Sequence, residues 1–494
     1  MNQFKSKIYL KYFLLIVALF AASTVLAQNQ LKTIVQQDYN LPYPNQRRTV
    51  YMDRVVKLNG NFYFVYPYGK RVPQSPNYTQ QISYLYEFTP HNSEAKSIYQ
   101  NPEGIYNLSA TKNALVFTSE GLYGFHSFSP ITGYDSKTET LAFNTKSEKQ
   151  RRNTYIFTNP KNQIPFALSI INNYNNYSFE ALSLTGNYWL KFINLHNLDS
   201  RHNFVPFFFY MNPYLFPNTL YTIGRYFLNN TTGTNAFYAF KIDNIDADKN
   251  MPYATLDERL LAKDQRIIYS SVYNINGKAS VFMHKPIPGT EKHLIEIASL
   301  ENTEILIHNT KLTVNQDNTI FGMNYYNGRI YLFNKEFLVY FDDNSTTYKP
   351  KLLTIPYLKP EIINNGSMLF TDNHVFYSSG DTIFYTSNTE LSYELPKKIV
   401  AKLIKDFPDM LTALDAPVKA VTTQKHLFFI TDNKELIALD PSTGKKITIS
   451  FPAGTDIHQF RMFYSCDDRL FLGGTVGTDG KKYEIWTISD ADII

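Results

Sequence analysis

The strongest constraint on this chain is a recurrence. Short apolar-alternating runs, joined in pairs by Asn-Gly, Gly-Asn or Asp-Asn turns, return from one end to the other in sets of four. The first set reads 55–58, the turn Asn59-Gly60-Asn61, then 62–66, 83–88 and 95–99. The second reads 105–110, 115–118, 122–128 and 140–143, and further sets start near Thr154, Phe204, Ile267, Ile320, Met368, Leu427 and Leu470. Their central strands lie about 50 residues apart, the period of propeller blades.

A four-stranded antiparallel sheet that is apolar on both faces cannot bury them alone, and sheets packed face on face cover each other while leaving short edges. Strand-favouring aromatics point the same way, with 38 Tyr and 37 Phe against 2 Trp. The expected fold is therefore an all-β propeller of about eight four-stranded blades, with seven to nine compatible. Two stacked β-sandwiches are the alternative. No Pro/Ser-rich or charged segment divides the chain, so residues 28–494 are expected to form a single domain.

Two short helical insertions are expected to interrupt the strands. Thr255-Leu256-Asp257-Glu258 has capping-box spacing and opens the run 260–263. From Pro396 to Phe407, Ile399, Val400, Leu403, Ile404 and Phe407 share a helical face before Pro408 stops it.

Within 427–450, the segment Leu436-Ile437-Ala438-Leu439-Asp440-Pro441-Ser442-Thr443-Gly444-Lys445 resembles the end of a blade in PQQ-like and outer-membrane-assembly propeller repeats. The resemblance implies a propeller. Quinone-binding members carry a recurrent tryptophan in each blade, whereas this chain has Trp189 and Trp486 only, so no cofactor is expected.

The first residues set the compartment. Lys5, Lys7 and Lys11 precede an apolar run from Phe13 to Ala22, and Val25-Leu26-Ala27 fits a signal-peptidase site, so 1–27 reads as a cleaved signal peptide. The run is shorter than the roughly 20 residues of a spanning helix. The expected location is periplasmic or secreted, from a Gram-negative bacterium. Removing those lysines lowers the net charge from +5 to about +2, so the charge says little for a nucleic-acid partner, which would need a concentrated basic face, and none is expected. One cysteine, Cys466, leaves no internal disulfide framework and reads as an inert, buried thiol.

No nucleophile elbow, His-Glu-x-x-His, phosphate loop or dinucleotide fingerprint is present. Asp246-Ala247-Asp248-Lys249-Asn250 alternates oxygen ligands as a calcium loop does, with Asp257 at position twelve, but Met251 occupies the glycine position. It reads as a solvated loop, and no metal site is expected. Arg151-Arg152, after Lys146 and Lys149, reads as a solvated basic turn. Between Val205 and Pro217, the prolines after Met211 make 212–217 a loop, and Tyr210, Asn212, Tyr214 and Phe216 are the candidate ligand-binding residues. Tyr66-Pro67-Tyr68 and the stretch 172–177 read as similar Tyr/Asn loops.

The sequence thus predicts an exported, monomeric, non-catalytic module for a protein or polysaccharide partner. A propeller-fold polysaccharide hydrolase or lyase, with channel carboxylates, is the second reading, and a cell-envelope assembly factor is the third.

Overall fold

A computed structural model describes residues 29–38, 420–494, and between 55 and 400 the strands with their shorter turns; 1–28, 39–54, 401–419 and the remaining connections lie outside the described residues. Among the described residues the chain is all-β, in nine antiparallel sheets. In chain order they span 56–101, 106–139, 151–194, 202–257, 266–315, 322–354, 368–400, 420–449 and 457–489, and are numbered 1 to 9 here.

Sheets 1–4 and 6–8 are four-stranded and run up and down in strict chain order. In sheet 5 the short strands Arg266–Ile267 and Tyr273–Ile275 both pair with Lys278–Pro286, giving five. Sheet 9 has three strands from the C-terminal end, and its fourth is Lys32–Asp38, antiparallel to Lys482–Ser489. Repeated four-stranded meanders, with the last completed by the first strand, are β-propeller topology.

By chain contacts the molecule forms two units, one of 1–104, 370–372 and 401–494, the other of 105–369 and 373–400. In the first, period-two alternation gives sheet 9 two buried faces. Phe463, Leu470, Leu472, Trp486 and Ile488 join Phe428, Ile430, Leu436 and Ala438 of sheet 8 in one cluster. Met462, Phe471, Tyr483 and Ile485 join Phe62, Phe64 and Phe88 of sheet 1 in another, where the Phe471 ring lies 5.3 Å from that of Phe62. Each fully buried side chain of this size contributes roughly 1.5–3 kcal/mol.

In the second unit sheet 5 divides in the same way. Ala279, Val281, Met283 and Ala298 pack with Tyr221, Ile223 and Phe237 of sheet 4. Phe282, Ile295 and Ile297 pack with Ile330, Leu332 and Phe341 of sheet 6.

Nine sheets stand where about eight were expected, within the expected range. Neither expected helix forms in its described part. Ala254–Asp257 is the fourth strand of sheet 4, with Thr255 opposite Tyr238. Lys397–Val400 is the fourth strand of sheet 7, with Ile399 opposite Ile383. Both positions satisfy their backbone groups across a sheet, which overrides a local capping signal. Residues 258–265 and 401–419 lie outside the described residues. In sheet 2 the fourth strand is Asp135–Glu139, just before the expected 140–143. Among the described residues no helix is long and apolar enough to cross a membrane.

Candidate functional site at the turn end of sheets 5 and 6

In an up-and-down sheet the first and third turns lie at the same end. In sheet 5 these are Asn276-Gly277 and Asn302-Thr303; in sheet 6 they are Asn327-Gly328 and the loop after Asp342. The three pairs Asn276-Gly277, Asn302-Thr303 and Asn327-Gly328 hold both residues at positive φ, as a two-residue hairpin requires.

Asp343 joins the two sheets at this end. Its backbone N–H donates to the Gly328 carbonyl at 2.8 Å, and its carbonyl accepts from the Asn276 N–H at 2.5 Å. Its carboxylate accepts from the Tyr325 hydroxyl at 2.8 Å. Tyr325 is 52% exposed, and is the one aromatic among the large apolar residues that are exposed in the described chain. A half-exposed ring held by its hydroxyl is a group on which a ligand can stack.

At the same end of sheet 5, Lys278 Nζ lies 2.6 Å from Glu301 Oε2, and His308 Nε2 lies 3.1 Å from Glu301 Oε1. His308 stacks on the buried ring of Tyr348, centroids 3.9 Å apart and planes within 7°. Tyr348 has φ +52°, a left-handed backbone that a bulky residue holds at a cost of about 1–3 kcal/mol.

Electrostatics decide what these groups can do. The Lys278 hydrogen bond holds the Glu301 carboxyl below its usual range, and the same bond holds Lys278 above its own. Both stay charged near neutrality, whereas a general acid or base works best near the operating pH. This pair therefore suits ligand orientation better than proton transfer. Its stabilising effect is present between the ordinary Glu and Lys ranges. It is lost as pH falls through the lowered Glu301 value and as pH rises through the raised Lys278 value. Both groups are partly solvated, so a pH titration of unfolding should show Lys278→Met flattening these two flanks by a few tenths of a kcal/mol.

Thr423, His426 and Asp490 have the composition of a hydrolytic trio, but their bonding differs. His426 Nδ1 lies 2.7 Å from Asp490 Oδ1, while the Thr423 hydroxyl donates to that same oxygen and accepts from the His426 backbone N–H. A nucleophilic hydroxyl must instead face an imidazole nitrogen. With Lys425 N–H donating to Asp490 Oδ2 at 3.0 Å, the trio is a buried latch from sheet 8 to the end of the third strand in sheet 9. The device recurs. Arg329, at the start of the second strand of sheet 6, donates to the Asn388 carbonyl just past the third strand of sheet 7. Arg469, equivalent in sheet 9, lies over Phe88 at the end of the third strand of sheet 1, 5.5 Å from its centroid.

Of the residues expected to bind, Tyr210 ends the strand His202–Tyr210 opposite Tyr221. Its side chain, with Asn212, Tyr214 and Phe216, lies outside the described residues, as does 246–250. Asp257 ends a strand and Arg151-Arg152 opens one, so neither forms the expected loop. Tyr66-Pro67-Tyr68 is also strand, with Pro67 opposite Ser83, since proline removes one donor without unpairing its neighbours. Within 172–177, Asn172-Asn173 and Asn176-Tyr177 are strand, with Asn173 opposite Asn176, and 174–175 lie outside the described residues. Cys466 is half-buried, and burial pushes its thiol up to about 11. Among the described residues no three His, Cys, Asp or Glu side chains gather to hold a metal. Tyr325 was missed by sequence reasoning, and its only signal is the Tyr325-Tyr326-Asn327-Gly328 run.

No protein-family model and no curated relative matches the chain. Among solved structures it is similar to Sqt1 of Saccharomyces cerevisiae, at 10% identity over 93% of this chain and 100% of that one, with a TM-score of 0.41. It is also similar to the Dos1 propeller, at 9% identity over 92% and 95%, with a TM-score of 0.38. A eukaryotic initiation factor matches at 9% identity over 82% and 89%, with a TM-score of 0.41. The assignment to the β-propeller class rests on the strand order within the chain itself.

Proposed function

We propose that this chain is an exported, non-catalytic binding module, with the turn end of sheets 5 and 6 as its recognition surface and a glycan as the partner class it fits. One observation carries the reading. The half-exposed Tyr325 ring is held by Asp343 at the end of sheets 5 and 6 where Lys278 and Glu301 of sheet 5 hold each other charged. A sugar face stacks on such a ring while its hydroxyls bond to carboxylate and amide groups. The leader 1–27, with cleavage before Gln28, supports export.

The test is a glycan-array and polysaccharide-pulldown screen of the chain from Gln28, repeated with Tyr325→Ala. Loss of a stacking platform costs about 0.5–1.5 kcal/mol, or roughly 2- to 13-fold in affinity, and an exposed residue should leave the fold intact. Retention of a glycan by both proteins with equal affinity would remove this surface from the account.

A further inference from the structure

The outer strand of sheet 5, Glu304–Asn315, is twelve residues long and lies at the end of its sheet. Its first residues, Glu304-Ile305-Leu306-Ile307-His308, include two neighbours that are both solvent-exposed, Leu306 at 43% and Ile307 at 45%. Consecutive strand residues point to opposite faces, so each face of this edge carries one exposed apolar side chain, while Ile305 packs toward the cluster shared with sheet 4 and His308 lies on Tyr348. Among the described residues no strand pairs with its outer side. Such an edge is a template for another strand.

The straight length available is sharply bounded. Before Glu304 the Asn302-Thr303 turn has positive φ at both residues. After Asn309 the register against Lys292–Glu301 shifts, with Glu296 opposite Asn309 but Ile295 opposite Leu312, and Lys311 has φ +63°. The bulge is fixed by Thr310 Oγ1 donating to the Ile295 carbonyl and by Lys311 N–H donating to Asn309 Oδ1. The regular run before the bulge is therefore the six residues 304–309.

Five of these, 304–308, are complementary to themselves. Laid antiparallel about a two-fold axis through Leu306, Leu306 meets Leu306, Ile305 meets Ile307, and Glu304 meets His308. Directly opposite side chains in such a pair lie about 4.5–5.5 Å apart, so every position matches in kind. We infer that the occupant of this edge is a second copy of the chain, in a two-fold dimer that continues sheet 5 across the axis. This departs from the monomer expected from sequence. Only five residues pair, so the contact falls at the small end of specific interfaces and the dimer is weak. It would set two recognition surfaces on one particle, which raises avidity for a repeating ligand.

Sedimentation equilibrium of the chain from Gln28, over micromolar to near-millimolar concentration, tests the inference. The weight-average mass should rise toward about twice that of one chain. Leu306→Lys brings two like charges together on the axis and should hold the mass at one chain, while Leu306→Phe keeps the apolar match and should still dimerise. Circular dichroism of each variant checks that the exposed substitution leaves the sheets intact. A wild-type chain that remains monomeric throughout, or a folded Leu306→Lys chain that dimerises as well as wild type, overturns it.

Discussion

Removing residues 29–38 should abolish stable folding of the C-terminal sheet. This segment supplies the fourth strand of sheet 9, and its Leu31, Ile34 and Val35 are buried in the clusters shared with sheets 8 and 1. At roughly 1.5–3 kcal/mol each, those three side chains contribute about 5–9 kcal/mol, comparable with the 5–15 kcal/mol total stability of a typical protein. The seam has polar ties too. Asn29 N–H donates to the Asp492 carbonyl, Ile494 N–H donates to Asn29 Oδ1, and Leu31 N–H donates to the Ser450 carbonyl. Truncation bares the strand Lys482–Ser489 as a new edge, so the shortened chain should aggregate. Trp486 lies on that strand, buried and edge-on to Phe451, and its fluorescence reports the seam. The expected result is a red-shifted, solvent-exposed signal that a peptide of residues 29–38 added in trans partly reverses. A truncated chain with the unfolding midpoint of the intact one would contradict the closure.

Asp490→Ala should cost about 3–5 kcal/mol, because it leaves several buried donors without an acceptor at roughly 1–3 kcal/mol each. The substitution strips the acceptor from Thr423 Oγ1, His426 Nδ1 and Lys425 N–H together, and Thr423 and His426 are buried. Buried donors left unpaired lose hydration without compensation. Asp490→Asn keeps one carbonyl acceptor and should lose distinctly less. Denaturant titration of the three proteins separates these outcomes. Equal stability of Asp490→Ala and wild type would mean that the latch between sheets 8 and 9 does not hold them.

What was legible in the sequence is what local chemistry dictates. The Asn59-Gly60 turn, read from composition, has φ values of +51° and +84°, so a hairpin signal written in two residues translates directly. The Asp440-Pro441-Ser442-Thr443-Gly444 turn is similar. Asp440 Oδ1 accepts from the Ser442 N–H at 2.9 Å, and Gly444, at φ +76°, donates to the Asp440 carbonyl. What was not legible depends on partners distant in the chain. Thr255 carries a capping-box pattern, yet its backbone pairs with Tyr238. Lys32–Asp38 has no hairpin partner nearby, because its partner lies at the other end of the sequence. His426 and Asp490 are 64 residues apart, and neither position shows its use when read alone.

The candidate site divides along the same line. Asn276-Gly277 and Asn327-Gly328 are visible as turns, but only the packing of sheet 5 against sheet 6 shows that both meet Asp343. Aromatic runs drew attention to 205–217, whereas the exposed platform is one tyrosine on a strand five residues long. Exposure of a strand residue is decided by the neighbouring sheet, which no run of letters encodes.

The proposed division between binding and chemistry is most directly tested by measuring new reducing ends over time in solutions of any polysaccharide that the chain from Gln28 retains, across pH 5 to 9. The account predicts retention with no release above the protein-free control. Release that rises linearly with protein concentration would contradict it and make the chain an enzyme.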